Sequence, residues 1–145
     1  MRVLGLDLGS RTIGVSVSDT LKMIARPVET IRFQEDDYDQ ACVLVQKYIQ
    51  EFQVKSVVLG LPKHMNGDIG IRGEISLSFK RKLEDLGLEV ILWDERLTTV
   101  AASKILIAAD VSRKKRKKII DQMAAVQILQ SYLDSQNKGN LNFIS

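Results

Sequence analysis

The chain opens on an apolar stretch at residues 2–8, with Val3 facing one way and Leu4, Leu6 and Leu8 the other. A strand apolar on both faces belongs in the middle of a sheet that is covered on both sides. After Gly9-Ser10-Arg11, Ile13, Val15 and Val17 alternate with Gly14, Ser16 and Ser18. So short a connection makes this second strand the hairpin partner of the first. Residues 26–33 read as a third strand, entered at Pro27. Over residues 37–52, Ala41, Leu44, Val45, Tyr48, Ile49 and Phe52 recur at helical spacing. Residues 56–61 (SVVLGL) form another continuous apolar strand, stopped by Pro62 and followed by a polar loop over residues 63–73. A second amphipathic helix is predicted over residues 74–86, ended by Gly87, and a fifth strand over residues 90–93. Thr98 or Thr99 can cap a third helix running to about Ala109. A last helix runs to about Tyr132. The order β-β-β-α-β-α-β-α-α predicts a mixed five-stranded sheet with helices on both faces, an α/β domain. That domain is expected over residues 1–134, with a flexible polar tail over 135–145 in which Leu141, Phe143 and Ile144 could dock.

The apolar and charged content of the 145 residues is that of one globular domain, able to bury roughly 70% of its unfolded surface. No apolar run approaches the ~20 residues of a membrane span, and no leader layout precedes the first strand, so the expected compartment is the cytoplasm, away from any membrane. One Cys and one His exclude a disulfide framework and sites of several thiolates or histidines. The net charge of +3 conceals two regions. Arg113, Lys114, Lys115, Arg116, Lys117 and Lys118 are consecutive, and without them the chain carries 15 basic and 18 acidic residues. The basic character is local, which excludes a generally basic coat.

Three acids stand out by position. Asp7 is the penultimate residue of the doubly covered first strand, where a carboxylate is costly unless paired or bound to metal. Glu95 follows the fifth strand. If the first, fourth and fifth strands are parallel, the ends of the first and fifth lie on one edge, where α/β sheets place ligand sites. On a wheel of about 100° per residue, Ala124, Ala125, Ile128 and Leu129 fall within about 80° of Asp121, on the face that packs on the sheet. Three gathered acids repel one another, so either one keeps a proton or a divalent cation neutralises them. All-oxygen ligands suit Mg²⁺ or Mn²⁺, and two such ions can activate water and stabilise the leaving oxygen of a phosphodiester. Structural readings compete: Asp7 as a turn former, Glu95 as an ion-pair partner of Arg96, Asp121 as a residue favoured near a helix start.

One ordered set of residues carries a resemblance. Leu6-Asp7-Leu8-Gly9-Ser10 with Gly14 and Ser18-Asp19 comes first, then Gly60-Leu61-Pro62 with Asn66-Gly67. Asp94-Glu95-Arg96-Leu97-Thr98-Thr99 follows, then Ile120-Asp121-Gln122-Met123-Ala124-Ala125 with Ile128-Leu129. This set resembles the YqgF family, bacterial proteins with a ribonuclease H-like fold described as Holliday junction resolvases and as nucleases maturing the 5′ end of pre-16S rRNA. The resemblance spans residues 2–132. It implies metal-binding, catalytic acids at Asp7, Glu95 and Asp121.

The basic run ends three residues before Asp121, so a phosphate backbone lying on it would pass the acids. If all six cations neutralised phosphates, the salt slope on duplex would be about −5. Lys63 and Arg72, with His64 and Asn66, belong to the loop after the fourth strand and are expected to reach phosphate. Arg96 either orients Glu95 or contacts phosphate. Asp94 points opposite Glu95 by strand alternation. Asp19 lies at the far end of the sheet and reads as structural, while Cys42 and Trp93 read as core. The expected partner is nucleic acid, an RNA precursor or branched DNA. Cutting both strands of a junction needs two active sites and hence a homodimer, whereas trimming RNA needs one. Two rival readings remain. In one, Asp7-x-Gly-Ser resembles the phosphate loop of sugar kinases and actin-like ATPases, although this chain has no room for their second lobe. In the other, the protein is a non-catalytic nucleic-acid-binding or ribosome-assembly factor.

Overall fold

The computed structural model describes residues 2–63, 66–97 and 113–141, with side chains of the last segment over residues 122–137. Five strands, β1 (Val3–Leu8), β2 (Thr12–Ser18), β3 (Ala25–Arg32), β4 (Ser56–Leu61) and β5 (Glu89–Asp94), form one sheet in the order β3-β2-β1-β4-β5. β1 pairs antiparallel with β2 and parallel with β4, and β4 pairs parallel with β5. The three parallel strands therefore end on one edge, as the sequence reading requires. Helices α1 (Tyr38–Glu51) and α2 (Gly70–Glu84) precede and follow β4, and α3 (Arg113–Leu141) comes last.

The two-faced apolarity of β1 and β4 is used in full. Leu4, Leu6, Val57 and Leu59 pack with Ala41 and Val45 of α1 and Phe79 and Leu83 of α2. On the other face Val3 and Val58 meet Ile128, Leu129 and Leu133 of α3. Cys42 is buried in the first of these layers, and Trp93 packs against the second with its ring edge-on to Tyr132. Each fully buried Leu contributes about 1.5–3 kcal/mol relative to exposure.

α3 lies close on the sheet because Gly5 carries no side chain. A Cβ there would sit 2.7 Å from Leu129 Cβ and 3.1 Å from the Ala125 carbonyl oxygen. The buried Ser16 hydroxyl donates to that carbonyl at 2.8 Å. Gln130 fastens the next turn, accepting from the Ala25 N–H at 2.9 Å and donating to the Met23 carbonyl at 3.0 Å. Leu133 lies beside Val3, and Ala125 and Leu129 beside Gly5, so α3 runs antiparallel to β1. Asp121 is one turn before Ala125, about 6 Å further towards the end of β1.

Two helices differ from expectation in their extent. α2 begins at Gly70, not 74, which moves Arg72 from the loop into the first turn of a helix. Its N-cap position is Ile69, whose side chain makes no capping bond, so no polar residue marks the start. α3 begins at Arg113, which places the basic run in its first two turns, and it continues past Tyr132 to Leu141. The polar end is tied down where Asn137 donates to the Lys22 carbonyl at 3.1 Å. The helix expected from Thr98 or Thr99 to Ala109 lies outside the described residues, as does His64. Among the described residues no helix is long and apolar enough to cross a membrane.

Candidate active site

Asp7 shares its side of β1 with Val3 and Gly5, the side that faces α3. Its partner across β2 is Gly14, which adds no side chain beside it. Glu95 stands just beyond β5, where the chain turns into a short 3-10 helix, Glu95–Leu97. β4 runs between β1 and β5, so the two acids start from strands about 9–10 Å apart. The Glu95 side chain crosses that gap over Gly60, where a Cβ would lie 2.6 Å from Glu95 Oε1. Glu95 is half-buried and hydrogen-bonded to the Asp7 carboxyl.

Desolvation, then the Asp7 charge and the hydrogen bond to it, push the Glu95 carboxyl up to about 7. The guanidinium of Arg72 pulls in the opposite direction. Two carboxylates can bond directly only with a proton between them. The pair therefore retains a proton up to neutral pH. Arg72 is exposed, yet its Nη2 donates to the Leu8 carbonyl at 3.2 Å, which holds a cation at the end of β1.

The neighbouring acid behaves differently. Arg96 grips Asp94 through Nε at 3.1 Å to both carboxylate oxygens, through Nη2 at 2.7 Å, and through its backbone N–H at 2.9 Å. Lys63 Nζ is 3.9 Å from the same carboxylate. The bonds from Arg96 hold the Asp94 carboxyl below the usual carboxylate range. Arg96, which the sequence suggested as a partner of Glu95, is bound to Asp94. Asp19, at the opposite edge, accepts the N–H groups of Met23 at 2.8 Å and Ile24 at 3.1 Å, a structural turn acid as expected.

The acids expected at Asp7 and Glu95 are thus brought together. The side chains of Asp121 and of residues 113–118 lie outside the described residues. Among the described residues no group of three or more His, Cys, Asp or Glu stands together to hold a metal ion. Sequence reasoning missed Gly60. A glycine inside an otherwise apolar strand is a signal for close approach of another group, and that signal was present.

A mixed sheet in this order, with acids at the ends of β1 and β5 and helices on both faces, is the ribonuclease H-like fold. Solved structures bear this out. The RuvC of T. thermophilus, solved in complex with Holliday junction substrate, superposes with a TM-score of 0.62 at 13% identity, covering 94% of this chain and 96% of that one. The Holliday junction resolvase of fowlpox virus gives 0.57 at 14% identity, covering 94% and 99%. Within that fold, residues 1–135 match the family described as "RuvX: Holliday junction resolvase", and the chain belongs to it. Curated relatives include a protein of Bacillus subtilis (strain 168), 54% identical over 138 residues, covering 94% of this chain and all of the relative. Another, from Geobacillus sp. (strain WCH70), is 55% identical over 137 residues, covering 94% and 99%. Both carry the name "Putative pre-16S rRNA nuclease". The resemblance read from the motifs is the family found.

Proposed function

We propose that this protein is a metal-dependent nuclease that hydrolyses phosphodiester bonds in structured RNA, acting in the cytoplasm on the 5′ end of pre-16S rRNA. The observation that carries this reading is the acid pair of Asp7 and Glu95 at the common end of the parallel strands. An all-oxygen pair that meets only by keeping a proton suits a divalent cation, which replaces the proton and neutralises both carboxylates. Asp7, Glu95 and Asp121 would hold Mg²⁺ or Mn²⁺. Bound there, the metal supplies activation of water and stabilisation of the leaving oxygen.

The remaining work falls to the chain's own groups. Arg72, fixed to the Leu8 carbonyl, offers its exposed guanidinium to a phosphate oxygen beside the acids. Lys63 and Arg96 carry positive charge at the end of β5, and residues 113–118 bring a strip of cations to the same edge. Together they hold a polyanion where four carboxylates would otherwise repel it. The catalytic unit is residues 1–134, with 135–145 as an appended segment.

RNA is favoured over branched DNA by the relatives at 54–55% identity and their name. Junction cleavage is the second reading, favoured by the family description, and it requires a homodimer. One assay separates them: wild type and Asp7→Asn, each verified as folded, on a pre-16S rRNA 5′ precursor and on a four-way DNA junction with Mg²⁺ or Mn²⁺. Precursor cleavage abolished by Asp7→Asn supports the proposal. Junction cleavage alone transfers it to the second reading. Binding of either substrate without cleavage leaves an assembly factor, and cleavage undiminished by Asp7→Asn overturns the site.

A further inference from the structure

We infer that Gly60 is a positioning residue for the cleavage reaction: its missing side chain leaves the gap through which Glu95 reaches Asp7 across β4. The inference rests on the role proposed for the acid pair. Within the sheet, Gly60 pairs with Trp93 on β5, and Leu59 of β4 pairs with Leu6 of β1. Gly60 therefore lies between the strands that carry the two acids, on the face they share with α3. Its backbone does not require glycine, since its φ is outside the left-handed region. Space is what requires it. A Cβ at this position would meet Glu95 Oε1 at 2.6 Å and Glu95 Cγ at 3.2 Å. It would also meet Ile128 Cδ1 at 2.7 Å.

These contacts are of two kinds. The Ile128 contact belongs to packing beneath α3. The Glu95 contacts belong to the site, and the end of a flexible side chain yields before a strand backbone does. An alanine here displaces the carboxylate from the path to Asp7. It leaves the chemistry of Glu95, and every cation that holds the substrate, in place.

The two contacts separate experimentally, because valine at 128 lacks the Cδ1 atom. The comparison uses the full chain as wild type, Ile128→Val, Gly60→Ala/Ile128→Val, Glu95→Gln, and the triple variant. Mn²⁺ affinity is measured by calorimetry, cleavage by kcat and KM on whichever substrate the wild type cuts, and stability by thermal melting. Relative to Ile128→Val, the double variant is expected to lose about 10-fold or more in Mn²⁺ affinity and in kcat, with KM unchanged. Adding Glu95→Gln should then lower Mn²⁺ affinity little further, because both changes remove one carboxylate from one place. Parental affinity and kcat in the double variant overturn the inference while leaving the acid pair intact. So does a full additional loss in the triple variant. A melting temperature more than about 10 °C below that of Ile128→Val also overturns it, since the glycine would then serve packing. If Glu95→Gln alone cleaves at the wild-type rate, the acid-pair reading itself fails, whatever Gly60 does.

Discussion

The two edges of the sheet each carry an acid, and the acids are treated in opposite ways. At one edge Asp19 receives two backbone N–H groups, led by that of Ile24, and its carboxyl is held below the ordinary value. At the other, Glu95 is pulled from water and set against a second carboxyl, which pushes it up to about 7. The first arrangement satisfies a charge and closes a turn. The second sets two carboxyls in contact around one proton. What differs is the partner: backbone N–H groups favour the charged carboxylate of Asp19, whereas burial beside a second carboxyl disfavours that of Glu95.

The comparison can be broken by substitution. The largest effect is expected for Asp7→Asn, with cleavage falling by on the order of 10³-fold while the melting curve holds or rises; a variant retaining a tenth of the wild-type rate would remove the contrast between the edges. Next comes replacement of residues 113–118 by glutamine. It should weaken substrate binding and flatten its salt dependence, by at most about 5 in the log–log slope on duplex. Asp7→Asn should leave that slope unchanged, so a filter-binding titration at several salt concentrations distinguishes holding from cutting.

Smaller effects concern stability. The folded state holds the Glu95 proton more tightly than the unfolded chain does. In metal-free buffer its contribution is therefore most favourable below pH 4.5 and is lost as pH rises through about 7. Glu95→Gln should remove that loss, raising stability at pH 8 over pH 5 relative to wild type by roughly 1–2 kcal/mol once solvent screening is allowed for. Thermal melts in EDTA at the two pH values read it directly. The Asp19 contribution has the reverse sign: it is present above the unfolded carboxyl value and disappears as pH falls through the lower folded one. Asp19→Ala should lower the melting temperature by a few degrees at neutral pH and leave kcat alone.

The sheet was legible because β1 and β4 are apolar on both faces, a pattern that only a doubly covered position rewards. With the first, fourth and fifth strands parallel, that placement puts Asp7 and Glu95 at one edge. The start of α2 was not legible. Gly67 and Gly70 take positive φ and read as loop, and Ile69 gives no capping signal. Arg72 was consequently placed on the right edge but on the wrong kind of element. The Arg96–Asp94 grip was hidden too, because alternation along a strand does not foresee the turn that follows it. Gly60 was legible as a glycine interrupting an apolar strand, but which group approaches it needed the distance across β4.

The depth at which α3 sits also fixes a spacing. The Ser16 bond to Ala125 and the Gln130 bonds to the β2–β3 turn lock the helix along the sheet, and from Ala125 back to Arg113 the helix is continuous. Asp121 then stands about 4.5 Å along the axis from Lys118 and about 12 Å from Arg113. The helix is in this sense a ruler, with the cations as its divisions and the acid at its zero. One residue inserted between Lys118 and Asp121 would turn the cations by about 100° around the axis, whereas four would return them to nearly the same face about 6 Å further away. The basic run and Asp121 are therefore held at a fixed separation on one helix, which can change without rotating one against the other only by about a whole turn.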